Sequence, residues 1–531
     1  MNKTGAVATL GVLGMLAAAC GSSPSASGGK PGGAPAENAT FTFAISADPG
    51  SLDPAMAVDG ATRATVNVAY DTLVSITPDG KTVSNLAEKW DVKPTEVTFT
   101  LRKGITCSDG SPLTASEVAA NFTQITDPAS KSPLRGVLVP PDMKAEGDDA
   151  AGTVTLSMPK AYSFILENAR DVFIVCGKGM KDRSILAKQT SGTGPYVLSD
   201  MVAGDTYNFT RREGYTWGPG GATNSEPGQP AKIVARVVTN EQTAANMLLS
   251  GQLNLGMFSG TDRARLEAHP SISKRVIPFV NADVIFHQAK GRVGADPAVR
   301  KALLQGLNLD ELAQVSSSKT GQPAKVMPMQ PTPCAGDNVA GNRPAFDAAA
   351  ADAALTAAGW KPGPDGIRVK DGKRLTLDFI YTNSLGPGAQ AAAEYVADAW
   401  KKVGVETKLN GLTAAKLWDT LDRTGTWDVV WNTIGVALPS QLVGFYSGPS
   451  APKGANFSKV DNKEYTDLTN QAMKLTGAPA CELWNKAEAA LIKNADVTPV
   501  VELTMLVASK DATADLFGTL VMSHSIRMTK K

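Results

Sequence analysis
Histidine is nearly missing: there are three in 531 residues, with only five cysteines beside them. His269, His287 and His524 are dispersed and show no spacing that pairs metal ligands, so no metal and no cofactor is expected. An excess of one charge is missing too. Lys plus Arg number 52 and Asp plus Glu 51, a formal net charge of +1, which supplies no field for a polyanion and makes nucleic acid a poor partner. Aromatic residues are 6% of the chain, but the apolar set reaches 43%, enough for a large core joined by the turns that 50 Gly and 33 Pro allow. There is no Walker loop, no Gly-x-Ser-x-Gly elbow and no His-Glu-x-x-His, so the usual signs of an NTPase, an esterase or a zinc peptidase are absent. After residue 20 neither a long apolar run nor an internal repeat occurs, so nothing there is expected to span a bilayer. At roughly 150 residues per domain, the length allows two or three units.

The N-terminus explains the odd cysteine. Lys3 is followed by fifteen small or apolar residues, 5–19, and the run ends Leu16-Ala17-Ala18-Ala19-Cys20-Gly21. Such a run rises about 22 Å as a helix, short of the roughly 30 Å hydrocarbon core, which favours an export signal over a membrane span. It resembles a bacterial lipoprotein signal, in which cleavage before a cysteine leaves the thiol to carry lipid. The usual bulky residue three before the cysteine is Ala17 here, with Leu16 one step further out. The alternative is an ordinary secretory signal with a chance cysteine. Residues 1–19 are thus expected to be removed, which takes away Lys3 and brings the side-chain charge to 0. Residues 20–39 read as a flexible Gly/Ser/Pro tether.

Strand-like stretches rich in β-branched and aromatic residues fall at 40–46, 97–102, 153–156, 233–238, 283–288 and 376–381. Helical patterns lie between them, at 239–250, 296–316, 348–358, 389–402 and 480–494. A further helix begins at Thr114-Ala115-Ser116-Glu117, a capping-box spacing. Gly359 and Gly404 stand where two helices should end. Alternation of this kind predicts an α/β architecture with more than one sheet.

Motifs in a fixed order carry a family resemblance. They are Asp48-Pro49-Gly50-Ser51-Leu52-Asp53-Pro54, Tyr70-Asp71-Thr72-Leu73-Val74, Asn85-Leu86-Ala87-Glu88-Lys89-Trp90, and Phe99 to Gly104 running on through Ser108-Asp109-Gly110-Ser111-Pro112. Downstream come Gly192-Thr193-Gly194-Pro195-Tyr196, Asp296-Pro297-Ala298-Val299-Arg300, Ala357-Ala358-Gly359-Trp360 and Lys402-Val403-Gly404-Val405. The chain from about residue 40 onward resembles the extracellular solute-binding proteins of the oligopeptide, dipeptide and nickel type, receptors of ABC importers. The resemblance implies a two-lobed periplasmic-binding-protein-like fold (type II) that closes on its ligand. Lobe I would be 40–280 plus 506–531, with an extra subdomain at about 82–186, and lobe II would be 281–505, the chain crossing near Asn281 and near 500–505. Without Cys20 four cysteines remain, and three connectivities are possible. Pairing within units then implies Cys107 with Cys176 and Cys334 with Cys481.

The resemblance places the lobe II side of the cleft at Trp418, Trp427, Trp431, Asn432 and Thr433, with Tyr381 and Asn383 as further candidates. As a strand, Trp427, Val429 and Trp431 would share one face and Asp428, Val430 and Asn432 the other. Flat, stiff tryptophan rings suit sugars or peptide planes equally well, and equally the core. Asp48 is the candidate from lobe I, or a turn residue before Pro49. Two departures bear on the ligand. Peptide-binding members anchor a free amine with an acid shortly after this strand, yet no Asp or Glu occurs between Asp428 and Asp461. Dipeptide-type members use an arginine after the Tyr381 strand, where this chain reads Thr382-Asn383-Ser384-Leu385-Gly386-Pro387. A buried ammonium without a partner is costly, so a neutral or N-blocked solute, an oligosaccharide or a long peptide held through its backbone is expected. The implied protein is not an enzyme. It is a monomeric lipoprotein held at the outer face of the cell membrane by Cys20, delivering a small solute or oligopeptide to ABC permease subunits. Alternatives are the same fold binding a metal chelate, an exported hydrolase, or a signalling or adhesion lipoprotein.

Overall fold
Two long strands, Ser273–Phe286 and Val497–Ser509, organise the molecule. They pair antiparallel from Ser273 opposite Ser509 to Ile285 opposite Val497. The register slips twice, between Pro278 and Val280 and between Ala282 and Asp283. Proline cannot donate to the ladder, and a bulge is where a strand tolerates one. The first strand therefore starts ten residues before the expected 283, since Pro278 and the mixed polarity of 273–282 hide its alternation.

The computed structural model describes residues 34–78, 80–451 and 453–530. The signal segment, Cys20 and most of the tether lie outside the described residues. Backbone pairing already begins at Ala34, whose carbonyl accepts from Lys530 N–H at 2.8 Å, and Ala36 N–H donates to Met528 at 3.0 Å. Residues 34–36 are therefore tied to the C-terminal segment, which corrects the expectation of a free tether up to 39.

The long pair sits mid-sheet in an eleven-stranded mixed sheet. On one side follow Leu255–Phe258, Thr40–Ile45, Lys232–Val237, Thr206–Arg211 and Tyr196–Val202; on the other Val429–Asn432, Thr376–Thr382 and Glu406–Leu412. Each side has its own core. Phe41, Phe43, Phe209 and Ile233 pack with Ile526 and Met528 on the first. On the second, Phe286, Leu303, Phe379 and Trp400 fill one face of the sheet, and Trp427, Tyr446, Tyr465 and Leu491 the other. A four-stranded antiparallel sheet, ordered Ala87–Lys93, Glu96–Leu101, Thr153–Ser157, Lys144–Asp148, forms a third body with the helix Ala115–Thr126. The helix begins as its sequence requires: Glu117 N–H donates to Thr114 Oγ1 at 3.1 Å, and Thr114 N–H to Glu117 Oε2 at 3.4 Å. It crosses the sheet so closely at Gly147 that a Cβ there would lie 2.3 Å from the Ala115 carbonyl oxygen.

The helix expected over 296–316 is two, Pro297–Gln305 and Leu309–Ser316. Asn308 breaks it, because its side chain accepts from Glu311 N–H at 3.2 Å and so caps a new start.

Disulfides join Cys107 to Cys176 within the third body and Cys334 to Cys481 within 281–505, the latter pair 147 residues apart in sequence. Closing so long a loop restricts the unfolded chain, so opening the second bridge by Cys334→Ser with Cys481→Ser is expected to cost about 2–4 kcal/mol. Urea unfolding of the variant beside the oxidised protein measures it. A loss under about 0.5 kcal/mol would be too small for this mechanism.

Candidate functional site
The two sides of the sheet have separate cores, and the long strands join them. Asn281 and Glu502 face each other at the middle of the pair, and Gln322 pairs with Glu502 from the far side. Asn281 Nδ2 donates to the carbonyls of Val326 and Met327, at 2.6 and 3.0 Å, which ties the following loop to the crossing. Met329 N–H in turn donates to Val436 at 2.7 Å, bringing that loop to the segment 433–438. Thr433 is half-buried there and Gly435 exposed.

Glu502 is the residue that reasoning from sequence missed. Its half-buried carboxylate makes no hydrogen bond or ion pair among the described residues, and burial raises its pKa against the opposing pull of Lys325. The signal was present: one acid in the otherwise uncharged strand Val497–Ser509. Asp283 carries the same mark. It stands opposite Asn432 in the ladder, 3% exposed, and burial pushes its pKa up to about 7. Neither Asp283 Oδ1 nor Asn432 Nδ2 has a partner among the described residues.

Across from segment 433–438 stands the third body. Gln441 Oε1 accepts from Ala437 and Leu438 N–H at 3.1 and 3.0 Å, while its Nε2 reaches Val137 O at 3.1 Å. Ser163 Oγ donates to Ala472 O at 2.6 Å and accepts from Trp484 Nε1 at 3.3 Å. Phe164 lies on the Trp484 ring, centroids 5.8 Å apart, in an apolar cluster with Leu438 and Cys334. Residues 162–164 thus clasp the 281–505 part away from the long strands. Separating them would bare a phenylalanine and a tryptophan, each worth roughly 1.5–3 kcal/mol of burial.

The tryptophans are placed otherwise than the resemblance implies. Trp431 is 1% exposed and packs in the core with Phe379 and Trp400. Trp427 is fully buried against His287 (4.7 Å) and Phe457 (6.0 Å). It belongs to the opposite core from Val429 and Trp431, which corrects the shared face: the strand spans only Val429–Asn432, so alternation does not reach back to 427. Trp418 is exposed, edge-on to Phe457 at 6.0 Å. Tyr381, buried, and Asn383, exposed, both crowd Gly411, where a Cβ would meet Asn383 Oδ1 at 2.6 Å and the Tyr381 hydroxyl at 2.9 Å. Asp48 closes a turn: Oδ1 accepts from Gly50 N–H at 2.7 Å and from the Tyr207 hydroxyl at 3.0 Å, and Oδ2 from Gly204 N–H. Burial works to raise its pKa, but these hydrogen bonds outweigh it and hold the carboxyl below its ordinary range. Among the described residues no three His, Cys, Asp or Glu gather as a metal site, and no helix is long and apolar enough to cross a membrane.

The architecture is that of the substrate-binding proteins. A crystal structure of an ABC transporter substrate-binding protein, CtaP, from Listeria monocytogenes superposes with a TM-score of 0.79 at 21% identity, covering 93% of this chain and all of the other. The description of bacterial extracellular solute-binding proteins, family 5 (Middle), matches residues 81–456, and the chain belongs to that family. Its relatives include Protein XP55 of Streptomyces lividans, 28% identical over 68% of this chain and 61% of that protein. The nickel-binding periplasmic protein of Escherichia coli is 26% identical over 74% of each chain. The match thus spans less than two thirds of Protein XP55's own length.

Proposed function
We propose that this protein is the substrate-binding component of an ABC importer. It takes a peptide-like or other mid-sized polar solute between the 40–280 plus 506–531 part and the 281–505 part, and hands it to permease subunits. Cys20, lipidated after removal of 1–19, holds it as a monomer at the outer face of the membrane. The observation that carries the reading is the pair of long strands joining two separately packed cores, with the unpartnered carboxylate of Glu502 at their crossing. Two cores joined by two strands can rotate about them, and the clasp of Phe164 on Trp484 supports a closed form.

Segment 429–460 offers no acid to a ligand's α-amine, so the solute is held there by backbone groups. Glu502 is the carboxylate within reach of the crossing, and it receives a donor group of the ligand. Since the nickel-binding relative names a metal and no ligand cluster occurs among the described residues, a nickel ion would have to arrive inside a chelator.

A thermal-shift screen of N-blocked and free peptides, oligosaccharides and nickel chelates is the test, because a ligand at a hundred times its Kd adds about 2.7 kcal/mol of stability. A neutral or N-blocked solute is expected to give the largest shift. Free-amine dipeptides at the top of the ranking, bound as tightly by the Glu502→Gln variant, would overturn the reading of 429–460, and turnover of any panel member would overturn the binding-protein reading. Glu502→Gln is expected to weaken the best ligand about tenfold, the worth of one charge-assisted hydrogen bond, and to leave the free protein at least as stable.

A further inference from the structure
A cavity of about 80 Å³ lies between the helix Gly60–Val66, the segment 170–173 and the C-terminal residues 517–524. Among the described residues none from 281–505 lines it, so it is separate from the crossing strands and from whatever binds there. We propose that it is a second ligand site, for a small monocarboxylate with an apolar body.

Side chains that line the cavity carry buried donor atoms that find no acceptor among the described residues. Arg170 is 4% exposed at its side chain, yet among the described residues its Nε and Nη2 have no hydrogen-bond acceptor, and the carboxylate beside it, Asp171, stands 3.9 Å away. Arg63 Nη1 is likewise without an acceptor, although its Nη2 donates to Asp171 O at 3.3 Å and lies 3.6 Å from Asp171 Oδ1. Ser523, 5% exposed, leaves its hydroxyl unpartnered at the same wall. Buried donors in folded proteins are almost always satisfied, and an unsatisfied donor on a charged group is among the costliest exceptions.

Charge points the same way. The two carboxylates that face the cavity are Asp71 and Asp171. Asp71 is already spent, accepting from the hydroxyls of Thr193 and Tyr215 at 2.9 Å each and from Trp217 Nε1 at 3.3 Å, with Arg212 as its countercharge. Burial drives the pKa of His524 down to about 4, so that ring is neutral. Two guanidiniums therefore face one acid of the cavity lining, Asp171, while Glu167, pushed toward its neutral form by burial against the pull of Arg170, does not line the cavity.

Shape selects within the anions. A planar carboxylate accepts two parallel hydrogen bonds from one guanidinium fork, which fits the free edge of Arg170. The guanidiniums lie over the rings of Phe517 and Phe173, at 5.1 and 5.2 Å, and these rings with Ile76 and Leu520 give the wall an apolar part that suits an apolar body. A water centre needs roughly 10–15 Å³, so the cavity has room for a handful of heavy atoms and not for a peptide.

The test is calorimetric titration of the full chain with isobutyrate and with propionate at constant ionic strength, beside inorganic phosphate. At least one monocarboxylate is expected to bind, and Arg170→Met, which keeps the stem and removes the fork, is expected to weaken it about tenfold or more. Should that variant fail to fold, Arg63→Met gives the same comparison. Hydrogen exchange is expected to slow at 517–524 on binding and to stay unchanged at 433–438. Absence of binding by either carboxylate, unchanged affinity in both variants, tighter binding of phosphate, or protection at 433–438 in place of 517–524 would overturn the proposal.

Discussion

Replacing Asp496 with alanine is expected to cost the protein about 3–5 kcal/mol. Arg300, 2% exposed at its side chain, meets Asp496 Oδ1 at 2.8 Å, and Asp496 is itself 1% exposed. The same guanidinium donates to the carbonyls of Ala495, Gly294 and Asn494 at 2.9, 2.8 and 3.0 Å. Burial pushes Asp496 up and Arg300 down, each toward its neutral form, and the pair with its hydrogen bonds opposes that push. Removing the acid strands a buried cation. Removing both charges does not, so Arg300→Met combined with Asp496→Ala is expected to lose less than the single change. Urea unfolding of the three variants measures this; a single-mutant loss below about 1 kcal/mol would contradict it. The interaction matters to function because it fastens the helix Pro297–Gln305 to the turn that starts the strand Val497–Ser509.

The second large effect is one of pH. Asp283 holds its proton up to about 7 in the folded protein, because burial disfavours its carboxylate and no donor compensates, while the unfolded carboxyl titrates near 3.9. Between those values the unfolded chain ionises first, so this residue takes stability away as pH rises through the window, by at most about 1.4 kcal/mol per unit. Asp283→Asn abolishes the penalty. The stability of the variant minus that of the wild type is expected to be smallest near pH 4 and to grow by about 2–4 kcal/mol by pH 8. Glu488, also raised to about 7 by burial, acts with the same sign but is present in both proteins and cancels. Denaturant unfolding from pH 4 to 8 gives the difference directly, and a flat difference would contradict the assignment.

Local rules read the elements well where local chemistry decides them. The hydroxyl of Thr114 and the carboxylate of Glu117 cap their helix through atoms three residues apart. Gly359 and Gly404 adopt φ of 90° and 82°, the left-handed form that ends a helix. Asp296 and Arg300, recognised as a motif, turn out to cap a helix and to anchor it. Local rules fail where a distant partner decides. The stretch 273–282, of mixed polarity, is a strand because 501–509 pairs with it, and Trp427 turns away from Trp431 because the ladder begins at Val429. The site was legible in outline only. Aromatic residues drew attention to 418–433, but a tryptophan sequence looks the same in a core as in a cleft, and Trp427 and Trp431 are in the core. The sharper clue was the reverse pattern, a lone acid in an apolar strand, as at Asp283 and Glu502. A charge there costs stability unless something outside the strand repays it.

The central claim, closure of two bodies on a captured solute, is most directly tested by small-angle X-ray scattering of the protein with and without the strongest ligand of the screen. The account predicts a smaller radius of gyration on saturation, and loss of that compaction when Phe164→Ala removes the clasp on Trp484. An unchanged radius at full occupancy in the wild-type protein would contradict it.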